Sequence, residues 1–228
     1  MVESGVTTIA LAPMRLRSRP VLSIVLFASA LALGALVFVS VERTGSRSAS
    51  AEPSPRSSEF AGLTRSVDAV LVGDSLTERG RWHERLDYRF ANRGIGRDTI
   101  AMVSARVHTL PPGPVFVLAG SNDLVRGHSL DDMRDDFLVL LDRLENRKVI
   151  LQTVPTADPL LARDWNETVR EVAAQRGHRL LDLERLLEPS DFMSDGIHLN
   201  AAGYRKWAAA LGEMMRSLSG PATSSKTT

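Results

Sequence analysis

Short apolar runs alternate with amphipathic segments from residue 66 onward. Five runs predict strands, at residues 68–73, 88–92, 114–119, 147–153 and 178–182. Longer segments repeat apolar positions at helical spacing and predict helices at residues 99–109, 130–145, 163–176 and 201–217. Strands that alternate with helices are typical of βαβ units. We therefore predict an α/β fold, a three-layer α/β/α sandwich around a five-stranded parallel sheet, over residues 61–218.

The longest apolar run lies near the N-terminus. Residues 21–41 carry no charge and no proline, and as a helix they would span ~32 Å, about the hydrocarbon thickness of a bilayer. Three arginines precede this run, so by the positive-inside rule residues 1–20 would be a basic cytoplasmic leader and the domain would be extracytoplasmic. We interpret residues 21–41 as an uncleaved transmembrane signal anchor; the alternative is a cleavable signal peptide, which would give a secreted protein.

Two segments lack the composition of a packed domain. Residues 42–60 are rich in Ser, Arg, Pro, Ala and Glu and predict a flexible linker between membrane and domain. Residues 219–228 are small and polar and predict a disordered tail.

Four polar motifs follow the predicted strands. They are Gly-Asp-Ser-Leu at residues 73–76, Asn-Arg-Gly-Ile-Gly-Arg-Asp-Thr at 92–99, Gly-Ser-Asn-Asp at 120–123 and Asp-Gly-Ile-His at 195–198. Because the carboxyl ends of parallel strands meet at one edge of a sheet, we expect these turns to converge on one pocket. Ser, Asn, Asp and His together supply a nucleophile, an oxyanion donor, an orienting carboxylate and a base for acyl transfer. Alone, the first motif would favour a serine or aspartate that only caps a helix, and the other three motifs change this interpretation.

In order and approximate spacing, the four motifs resemble those of the SGNH (GDSL-type) hydrolases, and most of all the branch that includes platelet-activating-factor acetylhydrolase subunits and small bacterial esterases. The resemblance implies a flavodoxin-like fold and ester hydrolysis without a metal or organic cofactor. By position it makes Ser75 the nucleophile, His198 its general base and Asp195 the residue that orients His198. The oxyanion hole would consist of the Ser75 backbone N–H, the Asn122 side-chain amide and one backbone N–H of the second motif.

The third oxyanion donor departs from the family pattern, because Arg97 stands where the family usually has glycine. A backbone N–H survives this exchange, but the local backbone must then accommodate a Cβ. We take the Arg97 N–H as the first choice for this donor and the Gly96 N–H as the second.

The composition and the absence of certain motifs argue against several other classes of function. The chain has 228 residues, a net charge of +1 and no cysteine, which gives no case for a nucleic-acid partner and excludes disulfides and a cysteine nucleophile. Neither a metal-binding His-Glu-x-x-His motif nor the Gly-x-Ser-x-Gly turn of ordinary α/β-hydrolases occurs. We predict structural roles for the remaining candidates. Asp74 and Asp123 would hold loops, and Trp82 and Trp165 would pack against helices, with lining of a pocket as the alternative. Surface or hydrogen-bonded positions are expected for His83, His108, His128 and His178.

Together these features predict a membrane-tethered, exported serine esterase. Its substrate would be a small acyl or acetyl ester on an envelope lipid or glycan, held in a shallow, open site because no large lid insertion is visible. The alternatives are an O-acyltransferase that uses the same acyl-enzyme and a non-catalytic carbohydrate- or lipid-binding module on the same fold.

Overall fold

The computed structural model describes residues 55–60 and 66–219. The predicted leader 1–20, the membrane anchor 21–41, most of the linker and nearly all of the tail lie outside these residues. Within the described part, no helix combines the length and apolarity needed to cross a membrane.

Five parallel strands form the sheet, in the order β2-β1-β3-β4-β5. They are β1 (Ala69–Gly73), β2 (Phe90–Gly94), β3 (Val115–Val117), β4 (Val149–Gln152) and β5 (Arg179–Leu181). The predicted five-stranded parallel sheet is confirmed, and this strand order is that of flavodoxin-like folds. In such a sheet successive strands are added on one side of β1 and then on the other, and this switch point between β1 and β3 opens a crevice at their carboxyl ends.

The described helices surround this sheet. They are α1 (Pro55–Phe60), α2 (Ser75–Glu78), α3 (Trp82–Arg85), α4 (Ile100–Arg106), α5 (Ser121–Val125), α6 (Leu130–Asp142), α7 (Pro159–Arg176), α8 (Leu183–Leu186) and α9 (Ala201–Ser219), with 3₁₀ turns at Val107–Thr109 and Pro189–Asp191. Helix α7 begins four residues earlier than predicted, because Asp158 caps it and Pro159 suits its first turn. The short helices lack a full apolar period, so hydrophobic spacing did not reveal them.

Alternate side chains of each strand enter opposite layers of the core. Val70 and Val72 of β1 pack in one apolar cluster with residues of α4, α6 and α7, including Trp165. Ala69 and Leu71 face the other cluster, which contains Trp82 and the apolar residues of α9. Both tryptophans are buried, which confirms the packing role predicted for them.

Helix α1 corrects the end of the predicted linker. Residues 42–60 were expected to be flexible, yet Pro55–Phe60 is helical and Phe60 is buried. The guanidinium groups of Arg56 and Arg93 lie 5.6 and 4.5 Å from the centre of the Phe60 ring. The apolar ring and these cation–π contacts explain why this part of a polar segment packs onto the domain.

Candidate active site

Ser75 lies where β1 passes into α2. Gly73 ends the strand, and a Cβ at that position would overlap the Leu118 carbonyl oxygen, so only glycine fits. Asp74 is the N-cap of α2, and its Oδ1 accepts a hydrogen bond of 2.9 Å from the Leu76 N–H. Ser75 is therefore the first helical residue, where a backbone N–H has no partner inside the helix.

The Ser75 hydroxyl meets the fourth motif. Its Oγ lies 3.0 Å from Nε2 of His198, and Nδ1 of His198 lies 2.7 Å from Oδ2 of Asp195. The His198 side chain is 19% exposed, so the ring is largely enclosed while Ser75 remains half-buried at the surface. The structure thus brings together the three residues predicted as nucleophile, base and orienting carboxylate.

A tight turn holds Asp195 against His198. Oδ1 of Asp195 accepts hydrogen bonds from the Ile197 N–H at 3.0 Å and the His198 N–H at 2.9 Å, which leaves Oδ2 for the imidazole ring. Partial burial opposes ionisation of this carboxyl group, but the hydrogen bonds from His198 and Ile197 outweigh it and lower the pKa of Asp195 to about 2. Asp195 is therefore a carboxylate throughout the neutral range.

Asn122 enters the same crevice from the end of β3. It lies in the first turn of α5, and its side-chain amide donates one hydrogen bond of 2.9 Å to the Asp98 carbonyl oxygen. An amide has two N–H groups, so the second remains available to a ligand. The neighbouring Asp123 accepts from the Ile100 N–H at 3.1 Å, which confirms its predicted loop-holding role.

The second motif distinguishes the two candidates for the third oxyanion donor. Arg97 has φ of 70°, the left-handed conformation that glycine usually supplies, and its guanidinium is exposed. Among the described residues nothing accepts a hydrogen bond from the Arg97 N–H. The Gly96 N–H, in contrast, already donates to Oε2 of Glu78 at 2.9 Å. The geometry therefore favours Arg97 and argues against Gly96.

Asp74 also matches its predicted structural role, but its charge is costly. The side chain is fully buried. Burial raises the pKa of Asp74 to about 6, against the opposing effects of the Ser121 hydroxyl and the Leu76 N–H. The Ser121 hydroxyl lies close enough to favour the charged form, yet Oδ2 of Asp74 has no well-formed hydrogen bond in the described part of the chain.

The other polar candidates take no part in this constellation. His83 and His108 are exposed, and His178 is half-buried. Nδ1 of His128 lies 3.2 Å from Oδ1 of Asp123. These positions agree with the predicted surface or hydrogen-bonded roles. The described residues contain no group of three or more His, Cys, Asp or Glu side chains that could hold a metal ion.

Sequence reasoning missed three residues around the crevice: Glu78, Asp98 and Arg106. Glu78 holds the Gly96 N–H, Asp98 holds the Asn122 amide through its carbonyl oxygen, and Arg106 binds the Asp98 carboxylate. Asp98 lies inside the second motif and could have been considered. Nothing in the sequence marked Arg106, which lies at the far end of α4.

The chain is similar in sequence to a family of hydrolases and to a known esterase. Residues 71–206 match the model of the GDSL-like lipase/acylhydrolase family, and this range contains all four motifs. A multidomain esterase of Ruminococcus flavefaciens is 28% identical over 131 residues. That match covers 48% of this chain and only 17% of the length of the relative.

Several solved structures share the fold at low sequence identity. A Streptococcus pneumoniae protein provisionally assigned as a platelet activating factor is 15% identical with a TM-score of 0.66, over 84% of this chain and 99% of that one. A GDSL-like lipase of Bacteroides thetaiotaomicron is 19% identical with a TM-score of 0.61, over 71% and 95%. An acetylxylan esterase of Geobacillus stearothermophilus is 19% identical with a TM-score of 0.55, over 67% and 95%.

Proposed function

The chain belongs to the GDSL-like lipase/acylhydrolase family, and from this premise we propose that it is a serine esterase that hydrolyses small acyl or acetyl esters through an acyl-enzyme at Ser75. The observation that carries the proposal is the hydrogen-bonded triad of Ser75, His198 and Asp195. Ser75 Oγ lies 3.0 Å from His198 Nε2, and His198 Nδ1 lies 2.7 Å from Asp195 Oδ2. A serine hydroxyl is a weak nucleophile until a base removes its proton, and His198 is placed to act as that base.

The reaction proceeds in two half-reactions. His198 Nε2 takes the proton of Ser75 as Oγ bonds to the ester carbonyl carbon, and the carbonyl electron pair moves onto oxygen. The tetrahedral intermediate collapses, the bond to the alcohol oxygen breaks, and His198 returns the proton to the departing alcohol. A water then attacks the acyl-enzyme by the same proton route, releasing the carboxylic acid and restoring Ser75. Asp195 holds the ring tautomer and stabilises the imidazolium in both steps.

Three N–H groups are available to the developing oxyanion. These are the Ser75 N–H at the start of α2, the second amide N–H of Asn122 and the Arg97 N–H. Each comes from a different turn at the carboxyl edge of the sheet, and donors fixed before reaction stabilise the transition state without reorganisation.

We expect the site to favour small acyl groups. Ser75 is half-buried at the surface, and in the described chain no long insertion follows β1, β2 or β3 at the carboxyl edge to cover it. The acetylxylan esterase among the structural neighbours has the same fold and removes acetyl groups, which supports testing acetylated glycans. The apolar run at residues 21–41 supports membrane anchoring with an extracytoplasmic catalytic domain, or secretion after cleavage.

The test is a panel of p-nitrophenyl esters of increasing acyl length together with acetylated xylo-oligosaccharides. We expect the highest kcat/KM for acetate and a steep decline with chain length. Ser75→Ala and His198→Ala should abolish turnover in folded protein, whereas His108→Ala, an exposed histidine away from the site, should retain it. Full activity of Ser75→Ala would refute the proposal.

The same panel separates hydrolysis from acyl transfer. An O-acyltransferase would pass the acyl group from Ser75 to an added alcohol in preference to water, so the ratio of ester to acid product would rise steeply at low acceptor concentration. We expect the acid to remain the main product. A non-catalytic binding module would neither release nitrophenol nor react with a fluorophosphonate probe at Ser75.

A further inference from the structure

Arg106 binds three groups that belong to the catalytic turns. Its Nε donates to Oδ2 of Asp98 at 2.7 Å, its Nη1 to the Arg93 carbonyl oxygen at 2.7 Å and its Nη2 to the Gly73 carbonyl oxygen at 2.9 Å. Arg106 is the last residue of α4, and helical side chains lean toward the N-terminus of their helix. This direction takes the guanidinium beneath the crevice, where the residue is only 8% exposed.

Each acceptor leads to a part of the proposed site. Gly73 is the last residue of β1, two positions before Ser75. Arg93 belongs to β2, which leads into the turn that carries Arg97. Asp98 is bonded through its carbonyl oxygen to the Asn122 amide at 2.9 Å. One planar guanidinium thus links the turn of the nucleophile, the turn of the third oxyanion donor and, through Asp98, the amide of Asn122.

Stability alone explains this arrangement poorly. Burial lowers the pKa of Arg106 and raises that of Asp98, so both charges are expensive to hold, although each partner opposes the shift of the other. Buried ion pairs often contribute no more than apolar residues of the same volume would. What the pair does provide is geometry, because a guanidinium has a fixed fork of donors.

We propose that Arg106 is a positioning residue that sets the oxyanion hole by fixing Asp98, and through it the Asn122 amide, relative to the turn of Ser75. The proposal rests on the proposed esterase function. It requires Arg106 to act in the transition state through Asn122 and to leave the binding of the ground-state ester nearly unchanged.

The matched comparison is Arg147. Its guanidinium also donates to backbone carbonyl oxygens, those of Pro111 at 2.6 Å and Gly113 at 2.8 Å, but these lie before β3, at the opposite edge of the sheet. Arg106→Gln should lower kcat for p-nitrophenyl acetate by ~10²–10³, the usual effect of losing one oxyanion donor, with KM within about threefold. Arg147→Gln should shift the midpoint of thermal unfolding by about as much as Arg106→Gln does, but should leave kcat within about twofold of wild type.

Two further variants complete the test. Arg106→Lys keeps the buried charge but cannot reach all three acceptors, so it should fold and still lose more than about tenfold in kcat. In the double variant Arg106→Gln with Asn122→Ala, kcat should be within about threefold of Asn122→Ala alone, because both changes remove the same donor. A merely structural role predicts losses that multiply.

Each outcome has one meaning. If wild-type protein hydrolyses the ester, Ser75→Ala does not, and the Arg106 variants behave like those at Arg147 or multiply with Asn122→Ala, this inference is wrong and the proposed function stands. If Ser75→Ala is as active as wild type, or wild type shows no esterase activity, both are wrong.

Discussion

Asp74 carries a buried charge whose energetic cost depends on pH. The carboxyl group is fully buried beside the proposed nucleophile, and burial raises its pKa from 3.8 to about 6. A raised pKa means that the folded protein prefers the protonated form. The free energy of unfolding must therefore decrease as pH rises through the interval between the two pKa values.

The magnitude follows from the shift. Below about pH 4 the carboxyl group is protonated in both states and favours neither. Between about pH 4 and 6 the unfolded chain loses this proton while the folded chain keeps it, so stability decreases, and above about pH 6 the loss is complete. A difference of about two pKa units at ~1.4 kcal/mol each amounts to about 3 kcal/mol.

Asp74→Asn isolates this effect, because asparagine is an equally good N-cap and can still accept from the Leu76 N–H. Urea unfolding of both proteins, followed by the fluorescence of the three buried tryptophans, gives the difference in unfolding free energy at each pH. Other titrating groups largely cancel in that difference. The variant should gain about 3 kcal/mol over wild type between about pH 4 and pH 7, most of it below about pH 6. A difference that is constant with pH, or that falls, would refute the reasoning.

Three other predictions follow from the site geometry. Gly120→Ala should destabilise the protein by about 3 kcal/mol or more in urea unfolding, because φ is 115° and a Cβ would overlap the Trp165 indole. The control Gly127→Ala has φ of 70° and open space around it, so it should lower the free energy of unfolding by only about 1 kcal/mol. Equal losses in the two variants would contradict the packing argument. Arg97→Gly should keep kcat within about threefold, because the proposed donor is a backbone N–H; a large loss would mean that the guanidinium itself acts. Asp195→Asn should lower kcat by about 10⁴, and since the pKa of Asp195 is about 2, the wild-type profile of kcat/KM against pH should show no ionisation of this carboxylate above about pH 4.

The convergence of the four motifs could be predicted because it depends on topology. Once the strands are parallel, every turn after a strand emerges at the same edge, whatever the details of packing. Ser75 and Asn122 closely follow β1 and β3 in this way. Asp195 and His198 lie in the longer segment between β5 and α9, and the structure brings His198 to Ser75. Their catalytic roles remain predictions until the variants are measured.

The interior of the site could not be predicted, because it depends on which groups meet after folding. Arg106 lies 33 positions from Gly73 and 13 from Arg93, and no local pattern pairs an arginine with particular backbone carbonyls. The pKa of Asp74 likewise depends on burial from all sides, which an Asp-Ser dipeptide does not reveal. Short helices such as α2 and α5 were missed because four or five residues are too few to show a period.

Arg97 needed both the sequence and the structure to be understood. The sequence raised the question of how a residue with a Cβ could occupy a glycine position, and the structure answers that the backbone keeps the glycine conformation, at φ of 70°. Such a conformation costs a non-glycine residue ~1–2 kcal/mol and persists only when neighbours hold it. Here the Arg97 carbonyl accepts from Arg126 at 3.0 Å, and the preceding Gly96 N–H is fixed by Glu78. The Gly96 N–H and the Arg97 carbonyl are thus engaged, while the Arg97 N–H has no partner among the described residues. This arrangement supports the proposal that the Arg97 N–H is the third oxyanion donor.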